Sequence, residues 1–344
     1  MSRIRVGICG HGSWMRGFVL PGLRAAEADI VGVVARSQQR ADQAAEALGL
    51  SRGYADVVDL LAAGAQAVIV ASPPRLHVAH ALPVLRAGVP VLCEKPLGLN
   101  SIESAELVRV AGSTPALTGF TLRWHPALRR MRDHIRAGAI GDVRLLDVHY
   151  ASSSDASPMA PWSWHHDRAE EPGGVLADLG AHAIDLARWL VGDLTFDGVD
   201  AATTVGSRPV AGSSGRNLVT NPDVASLRLT TSGAAVRILC SRVHPETPSG
   251  AGVRVTAFGD GGWVRWDATG TPALMLAPAG GLPVSEDRSQ DPAALVASEV
   301  SDFLELAAGG SVRSDLPTLE DGHRAQVLID AAVASIHAQP GGPR

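Results

Sequence analysis

Three cysteines, Cys9, Cys93 and Cys240, are all that the 344 residues contain. They are odd in number and far apart, which argues against a disulfide framework and against a zinc site. Cys9 and Cys93 sit in apolar runs and are expected as buried free thiols, in keeping with a reducing cytoplasm. No stretch approaches the roughly 20 unbroken apolar residues that a membrane helix needs. The segment Met1 to Gly10 has no long apolar run before a small-residue cleavage site, so it reads as a strand entering a turn rather than a signal peptide. Runs of Lys and Arg are also missing and the net charge is -5, which speaks against a nucleic-acid-binding surface. Neither an internal repeat nor a long linker is visible. The expectation is a cytoplasmic protein without membrane or nucleic-acid partners.

What is present is an ordinary globular balance, 46% hydrophobic and 19% charged, which excludes a wholly disordered chain. At roughly 100–200 residues per domain, the length suggests two domains. In the first third, apolar runs at Ile4 to Cys9, Ile30 to Ala35, Ala67 to Ala71, Val89 to Cys93 and Ala116 to Phe120 alternate with helical patterns. The helices are predicted over Trp14 to Ala28, Gln39 to Leu48, Val57 to Ala63, Leu76 to Ala87 and Ser101 to Ala111. Continuous apolar strands between amphipathic helices mean a parallel sheet covered on both faces. This predicts an α/β Rossmann domain over residues 1–121.

The pattern changes from residue 122 to 344, predicting an α+β domain with a largely antiparallel open sheet. Helices are expected at Pro126 to Ala137 and about Val175 to Leu190. Strands are expected at Val143 to Tyr150, Val199 to Val205, Val224 to Thr230, Ala235 to Val243, Val253 to Phe258 and Gly262 to Asp267. Segments 207–223 and 277–293, rich in Gly, Ser, Pro and Asp, read as loops. Helices at Pro292 to Ala308 and Thr318 to Ala338 close the chain, with a frayed tail over Gln339 to Arg344.

Between the first strand and the first helix lies Gly10-His11-Gly12-Ser13-Trp14-Met15. Gly10 permits a tight turn, and Gly12 lets the backbone approach a pyrophosphate at the positive end of the helix. Met15 stands where the fingerprint has its third small residue, a departure. Two dozen residues on, an NAD-selecting chain carries an acid for the ribose hydroxyls. Here that place holds Ala35, followed by Arg36 and Ser37, with Arg40 one turn later. Arginines and a hydroxyl suit a 2′-phosphate, so NADP is preferred over NAD as the expected cofactor.

Three clusters carry a family resemblance. They are Ala71-Ser72-Pro73-Pro74-Arg75-Leu76-His77, then Glu94-Lys95-Pro96, then Gly173-Gly174-Val175-Leu176-Ala177-Asp178-Leu179-Gly180-Ala181-His182-Ala183-Ile184-Asp185. In order and spacing the chain resembles the Gfo/Idh/MocA oxidoreductases over nearly its whole length. The resemblance implies hydride transfer between a nicotinamide and a sugar, cyclitol or keto-sugar. Ser13, Trp14, Met15, Ser72, Pro73, His77, Glu94, Lys95 and Arg123 are candidate cofactor contacts, with loop orientation the alternative for His77, a structural role for Glu94, and the domain junction or a structural salt bridge for Arg123. Phe120 to Pro126 looks like the family's crossover segment.

The chemistry is readable without the name. Alcohol oxidation needs a group that removes the hydroxyl proton. Lys95, at the C-terminal end of a strand, can polarise the reacting oxygen. Asp178 and His182, four apart on a predicted helix, share a face with Asp185 three further on. His182 is the expected acid/base, since its unperturbed pKa of about 6.5 suits proton exchange near neutrality. Asp178 is expected to bind a substrate hydroxyl, and glycines 173, 174 and 180 to let a ligand approach. Trp162, Trp164 and His165 are candidate substrate contacts, with core packing as the alternative. His165 and His166 lack a third ligand at suitable spacing, so no metal is expected. A non-catalytic NADP-binding sensor is the competing reading; it leaves the set Lys95, Asp178 and His182 without a purpose. A partly apolar outer sheet face would suit a homodimer or homotetramer.

Overall fold

The computed structural model describes residues 3–244, 251–269, 272–287 and 291–338. The expected frayed tail, Gln339 to Arg344, lies outside them. Contacts divide the chain into two units, one of residues 1–124 with 290–324 and one of 125–289 with 325–344.

The first unit holds six parallel strands in the order β3-β2-β1-β4-β5-β6. These are β1 (Arg5–Cys9), β2 (Asp29–Val34), β3 (Gly53–Tyr54), β4 (Ala67–Val70), β5 (Val91–Cys93) and β6 (Ala116–Thr118). Between them run α1 (Leu20–Ala25), α2 (Gln38–Leu48), α3 (Val57–Ala62), α4 (His77–Arg86) and α5 (Ser101–Ala111). The strands are continuous apolar runs because helices bury both faces. One face packs Val6, Ile8, Val33, Ala67, Ile69 and Leu92 against Leu20 and Leu23. The other packs Val68, Val70, Val91 and Cys93 against Leu60, Leu85 and Leu107. Side-chain caps start the helices where the sequence supplies them: Ser37 for α2, Asp56 for α3 and Asn100 for α5. The short β3 had no signal of its own, since two residues give no periodicity.

In the second unit α6 (Pro126–Arg136) leads into β7 (Val143–Ser152). Then follow α7 (Ala181–Val191), β8 (Thr195–Ala202), β9 (Ser207–Pro209), β10 (Arg216–Leu218), β11 (Val224–Thr230) and β12 (Ala235–Ser241). The chain continues through β13 (Ala251–Gly259), β14 (Gly262–Asp267), β15 (Ala273–Pro278) and β16 (Val284–Asp287). Eight strands pair in the order β16-β15-β14-β13-β7-β12-β11-β8. All neighbours are antiparallel except β7 and β12, which run parallel because α7, β8 and β11 intervene. Alternation of exposed and buried residues along β12 shows one covered face, and α7 lies against β7 and β12 on it.

Several expectations need correction. Segment 207–223 contains the β9–β10 hairpin. Segment 277–293 contains the end of β15 and β16, although residues 288–290 lie outside the described residues. Short strands rich in Ser, Pro and polar residues pair here through backbone bonds that composition does not announce. The strand expected from Val199 begins at Thr195. The helices close as α8 (Pro292–Ala307) and α9 (Leu319–Ala338), and α8 departs from the single break expected after residue 121. Leu295, Val296, Val300 and Phe303 of α8 join the first unit's core with Met15, Leu20 and Leu23. Close approach is allowed by Gly22, where a Cβ would lie 3.3 Å from the Ala297 Cα.

Phe303 is fully buried in that core. Phe303→Ala should cost about 3–5 kcal/mol in chemical denaturation, as large-to-small core changes do. A loss below about 1 kcal/mol would mean that α8 is not part of the first unit's core.

Candidate active site

In the first unit the candidate residues collect at the C-terminal ends of β1, β2, β4 and β5. Gly10 has φ +99°, and a Cβ there would lie 2.5 Å from the Ala71 carbonyl oxygen and 2.7 Å from the Ser72 nitrogen. Only glycine lets this turn rest on the exit of β4. A Cβ at Gly12 would meet nothing within 4 Å, so the backbone beside the helix start opens onto free space. That fits a pyrophosphate held by the first helical amides. The helix begins at Ser13 and Trp14 and passes through a π turn, Met15–Val19, into α1. Met15 is fully buried. The wider π turn accommodates a long side chain where the fingerprint needs a small one. Its side chain is therefore core.

Trp14 turns its ring to Glu94, with Nε1 donating to Oε1 at 2.5 Å. The Lys95 amide donates to the other carboxyl oxygen at 3.3 Å. A Cβ at Gly119 would come within 2.6 Å of that same oxygen. Burial pushes the Glu94 carboxyl up to about 7, against the opposing pull of Lys95 and Trp14. Glu299 of α8, buried nearby, accepts from Thr121 Oγ1 at 3.0 Å. Burial and the Glu94 charge push its carboxyl well up.

His77 is buried with Nδ1 2.7 Å from the Pro96 carbonyl and Nε2 2.7 Å from the Ser72 carbonyl. It ties the turn after β4 to the turn after β5, just beyond half-buried Lys95. Burial lowers its pKa to about 4, against the opposing pull of the two carbonyls, which favour the doubly protonated ring. Ser72 Oγ lies 3.0 Å from His80 Nδ1, and Pro73 precedes a short 3₁₀ turn. Ser37 caps α2, accepting from the Arg40 amide at 3.4 Å. Arg36 and Arg40 are exposed. Arg123 is buried instead: it pairs with Asp321 at 3.2 Å and donates to the Asp315 carbonyl at 3.3 Å. That brace explains its burial without a cofactor.

In the second unit Asp178 lies within another π turn, Leu176–Gly180, which continues into α7. The wider turn offsets Asp178 from a strict i,i+4 stack on His182. Both are half-buried, whereas Asp185 is fully buried. Tyr150 of β7 faces His182 with ring centroids 6.0 Å apart. Arg242, just beyond β12, places Nη1 3.8 Å from Asp178 Oδ2. Glycines 173 and 174 have φ +125° and +55°. A Cβ at Gly174 would lie 2.7 Å from the Asn221 Cβ and the Pro222 oxygen. Gly174 therefore makes room for Asn221 and Pro222, and a Cβ at Gly173 would lie 3.2 Å from the Ala177 Cβ. At Gly180 a Cβ would find ordinary contacts of 3.5 Å. Asn221 donates to the carbonyls of His165 and Glu171.

Trp162 is held on the β9–β10 hairpin, donating from Nε1 to the Leu218 carbonyl at 3.1 Å. Trp164 stacks on His165 at 3.5 Å, and His165 Nδ1 lies 3.2 Å from Glu171 Oε2. Among the described residues no cluster of three or more His, Cys, Asp or Glu could hold a metal. No helix among them is long and apolar enough to cross a membrane.

Two family models match the chain. Residues 4–119 fit the oxidoreductase family with an NAD-binding Rossmann fold, and residues 128–265 fit the GFO/IDH/MocA C-terminal domain. The chain belongs to the Gfo/Idh/MocA oxidoreductase family. An uncharacterised oxidoreductase of Synechocystis is 31% identical over 58% of this chain and 55% of its own length. The chain thus spans about half of that relative. The rhizopine catabolism protein MocA of Rhizobium meliloti is 27% identical over 96% of this chain and 95% of its own. Among solved structures, levoglucosan dehydrogenase in its apo form superposes with a TM-score of 0.87 at 22% identity, covering 97% of each chain.

Within this Gfo/Idh/MocA chain, sequence reasoning missed Tyr150, Asp155, Glu171, Asn221 and Arg242. Each reaches the Asp178 region or the loop behind it from a different element, so no spacing rule groups them.

The buried carboxyl of Glu94 makes stability depend on pH. Its folded value of about 7 exceeds the ordinary 4.5. The stability tied to its protonated form is therefore full below about pH 4.5 and lost as pH rises through about 7. Between pH 5 and 8 the melting temperature of the wild type should fall. Glu94→Gln should flatten that fall, and parallel curves for the two proteins would contradict the assignment.

Proposed function

We propose that the protein transfers hydride between NADP, or less favourably NAD, and a sugar, cyclitol or keto-sugar, with His182 as acid/base assisted by Lys95 and Asp178. The observation that carries this reading is the second unit's half-buried pair. His182 follows Asp178 by one turn, with Tyr150 beside the imidazole and Arg242 beside the carboxylate. A binding-only sensor has no use for such a proton-transfer set. The nicotinamide, when bound, supplies the hydride acceptor or donor. On oxidation His182 takes the hydroxyl proton, and on reduction it returns one to the carbonyl oxygen. The Lys95 ammonium polarises that oxygen. Asp178 accepts a hydrogen bond from a neighbouring substrate hydroxyl. The relatives support the substrate class: levoglucosan dehydrogenase has been solved with NADH and levoglucosan, and a myo-inositol dehydrogenase of Streptomyces leeuwenhoekii is 29% identical over 83% of this chain.

The NADP preference rests on charge at the end of β2. Among the described residues the Arg36 and Arg40 guanidinium groups have no ion-pair or hydrogen-bond partner. Arg40 and Arg16 also face His11 in the glycine turn. Burial, and then these two cations, hold the His11 pKa below its usual value. A doubly charged 2′-phosphate would relieve this repulsion. Three buried free thiols support a cytoplasmic setting. The outer face of the second sheet, with Leu239 and Phe258 exposed among the Arg237–Asp147 and His149–Asp147 ion pairs, suits a homo-oligomer.

Fluorescence titration should show tighter binding of NADPH than of NADH. Arg36→Ala should weaken NADPH by about tenfold or more, the worth of one charged hydrogen bond, and leave NADH nearly unchanged. Lys95→Ala and His182→Ala should lower kcat by roughly 10²–10⁴-fold while cofactor still binds. Equal affinity for the two cofactors would overturn the NADP preference, and full activity in His182→Ala would overturn its role.

A further inference from the structure

We propose that Arg242 is a positioning residue for Asp178, anchored from behind by Asp155 and His166, and that it fixes Asp178 as a hydrogen-bond acceptor. The proposal rests on the reading that Asp178 touches substrate. Arg242 is buried with its side chain 3% exposed, and its guanidinium serves three directions. Nη1 lies 3.8 Å from Asp178 Oδ2, Nε lies 3.5 Å from Asp155 Oδ2, and Nη2 donates to the His165 carbonyl at 3.2 Å. The Asp155 amide donates to the Arg242 carbonyl at 3.0 Å, closing the anchor through the backbone.

The anchor has a defined protonation. The Ser163 amide donates to His166 Nδ1 at 2.9 Å, so that nitrogen is an acceptor. The proton of neutral His166 therefore sits on Nε2, which donates to Asp155 Oδ2 at 3.0 Å. Burial opposes the Asp155 charge. The His166 bond and the Arg242 and Arg208 cations outweigh it and hold the carboxyl below its usual range. Asp155 faces the buried guanidinium at ion-pair distance, although Nε makes no hydrogen bond there. The second arm runs to the more exposed Asp178. What it changes is Asp178, because a cation at that distance favours the ionised carboxylate.

An ionised Asp178 can accept a substrate hydroxyl but cannot give a proton. Proton exchange then falls to His182, one turn on. Among the groups near Asp178 are Arg242 and Cys240 from β12 and its exit, with His182 one turn on and Tyr150 of β7 against His182. Only Arg242 among them is a fixed cation. The arrangement also ties the loop after β7, through Asp155 and His166, to the carboxylate that meets substrate.

The test is a carboxyl titration by ¹³C NMR with Asp side-chain labelling, the Asp178 signal being assigned by Asp178→Asn. Arg242→Gln should raise the Asp178 midpoint by about one unit or more. Arg242→Lys, which keeps the charge, should raise it less. Asp155→Asn should not raise it, since it leaves the cation wholly to Asp178. The acidic limb of kcat/KM should move with the Asp178 midpoint. An unchanged midpoint in Arg242→Gln overturns the proposal, as does an equal rise in Asp155→Asn, which would trace the effect to loop packing. Should the Gln variant fail to fold, a wild-type Asp178 midpoint at or above the ordinary aspartate value of about 3.9 overturns it equally. A wild type without turnover on any polyol or keto-sugar would sink the functional reading, while the titration would still decide what Arg242 does to Asp178.

Discussion

A carboxyl group taken out of water must be protonated or paired with a cation, and each unit of this protein is arranged around one of those solutions. In the first unit Glu94 and Glu299 are both buried, and the Glu94 charge raises the cost of ionising Glu299. Lys95 supplies only part of the compensation, so Glu94 titrates near neutrality and Trp14 is drawn to it as a donor. In the second unit the solution is ionic. Arg242 lies between Asp155 and Asp178, and His166 in a fixed tautomer completes the first of these. The two arrangements leave different chemistry available: a proton-holding carboxyl behind the cofactor turn, and an acceptor carboxylate beside His182.

Backbone geometry serves the same ends. Both candidate sites begin in π turns, Met15–Val19 and Leu176–Gly180. The first buries Met15 where a dinucleotide turn ordinarily needs a small residue, and it does so without closing the space beyond Gly12. The second sets Asp178 off the regular face of α7, toward the end of β12 where Arg242 waits. Gly174 before it accommodates Asn221, which in turn holds the carbonyls of His165 and Glu171 and so shapes the loop that carries Trp162 and Trp164.

Much of this was legible in the sequence, for a physical reason. Parallel strands buried on both faces are apolar throughout, so β1, β2, β4 and β5 stand out, and caps such as Ser37 and Asn100 mark helix starts. The glycine turn, Glu94-Lys95 and the Asp178–His182 spacing are local in the chain and could be read as chemistry. Contacts that join distant segments could not. Arg242 looks like any residue ending a strand until β12 pairs in parallel with β7 and turns it toward Asp178. Asp155 sits in a Ser-rich stretch with no periodicity, and the hairpin of β9 and β10 is polar enough to pass for loop. For Arg123 the sequence offered a cofactor contact, the domain junction or a structural salt bridge, and the partner in such a bridge, Asp321, lies too far along the chain to be read from spacing. The π turns left no signal beyond the misplaced Met15.

In the proposed reaction hydride moves between a nicotinamide held at the Gly10–Gly12 turn and a carbinol carbon served by His182. The most direct measurement is a single-turnover reaction of the protein with NADPH deuterated at the nicotinamide C4, run against a panel of keto-sugars and ketocyclitols and read by mass spectrometry. The account predicts an alcohol product one mass unit heavier, with label on the carbinol carbon, and its loss in His182→Ala. Label that stays on the cofactor across the whole panel, from each face of the ring in turn, would contradict it.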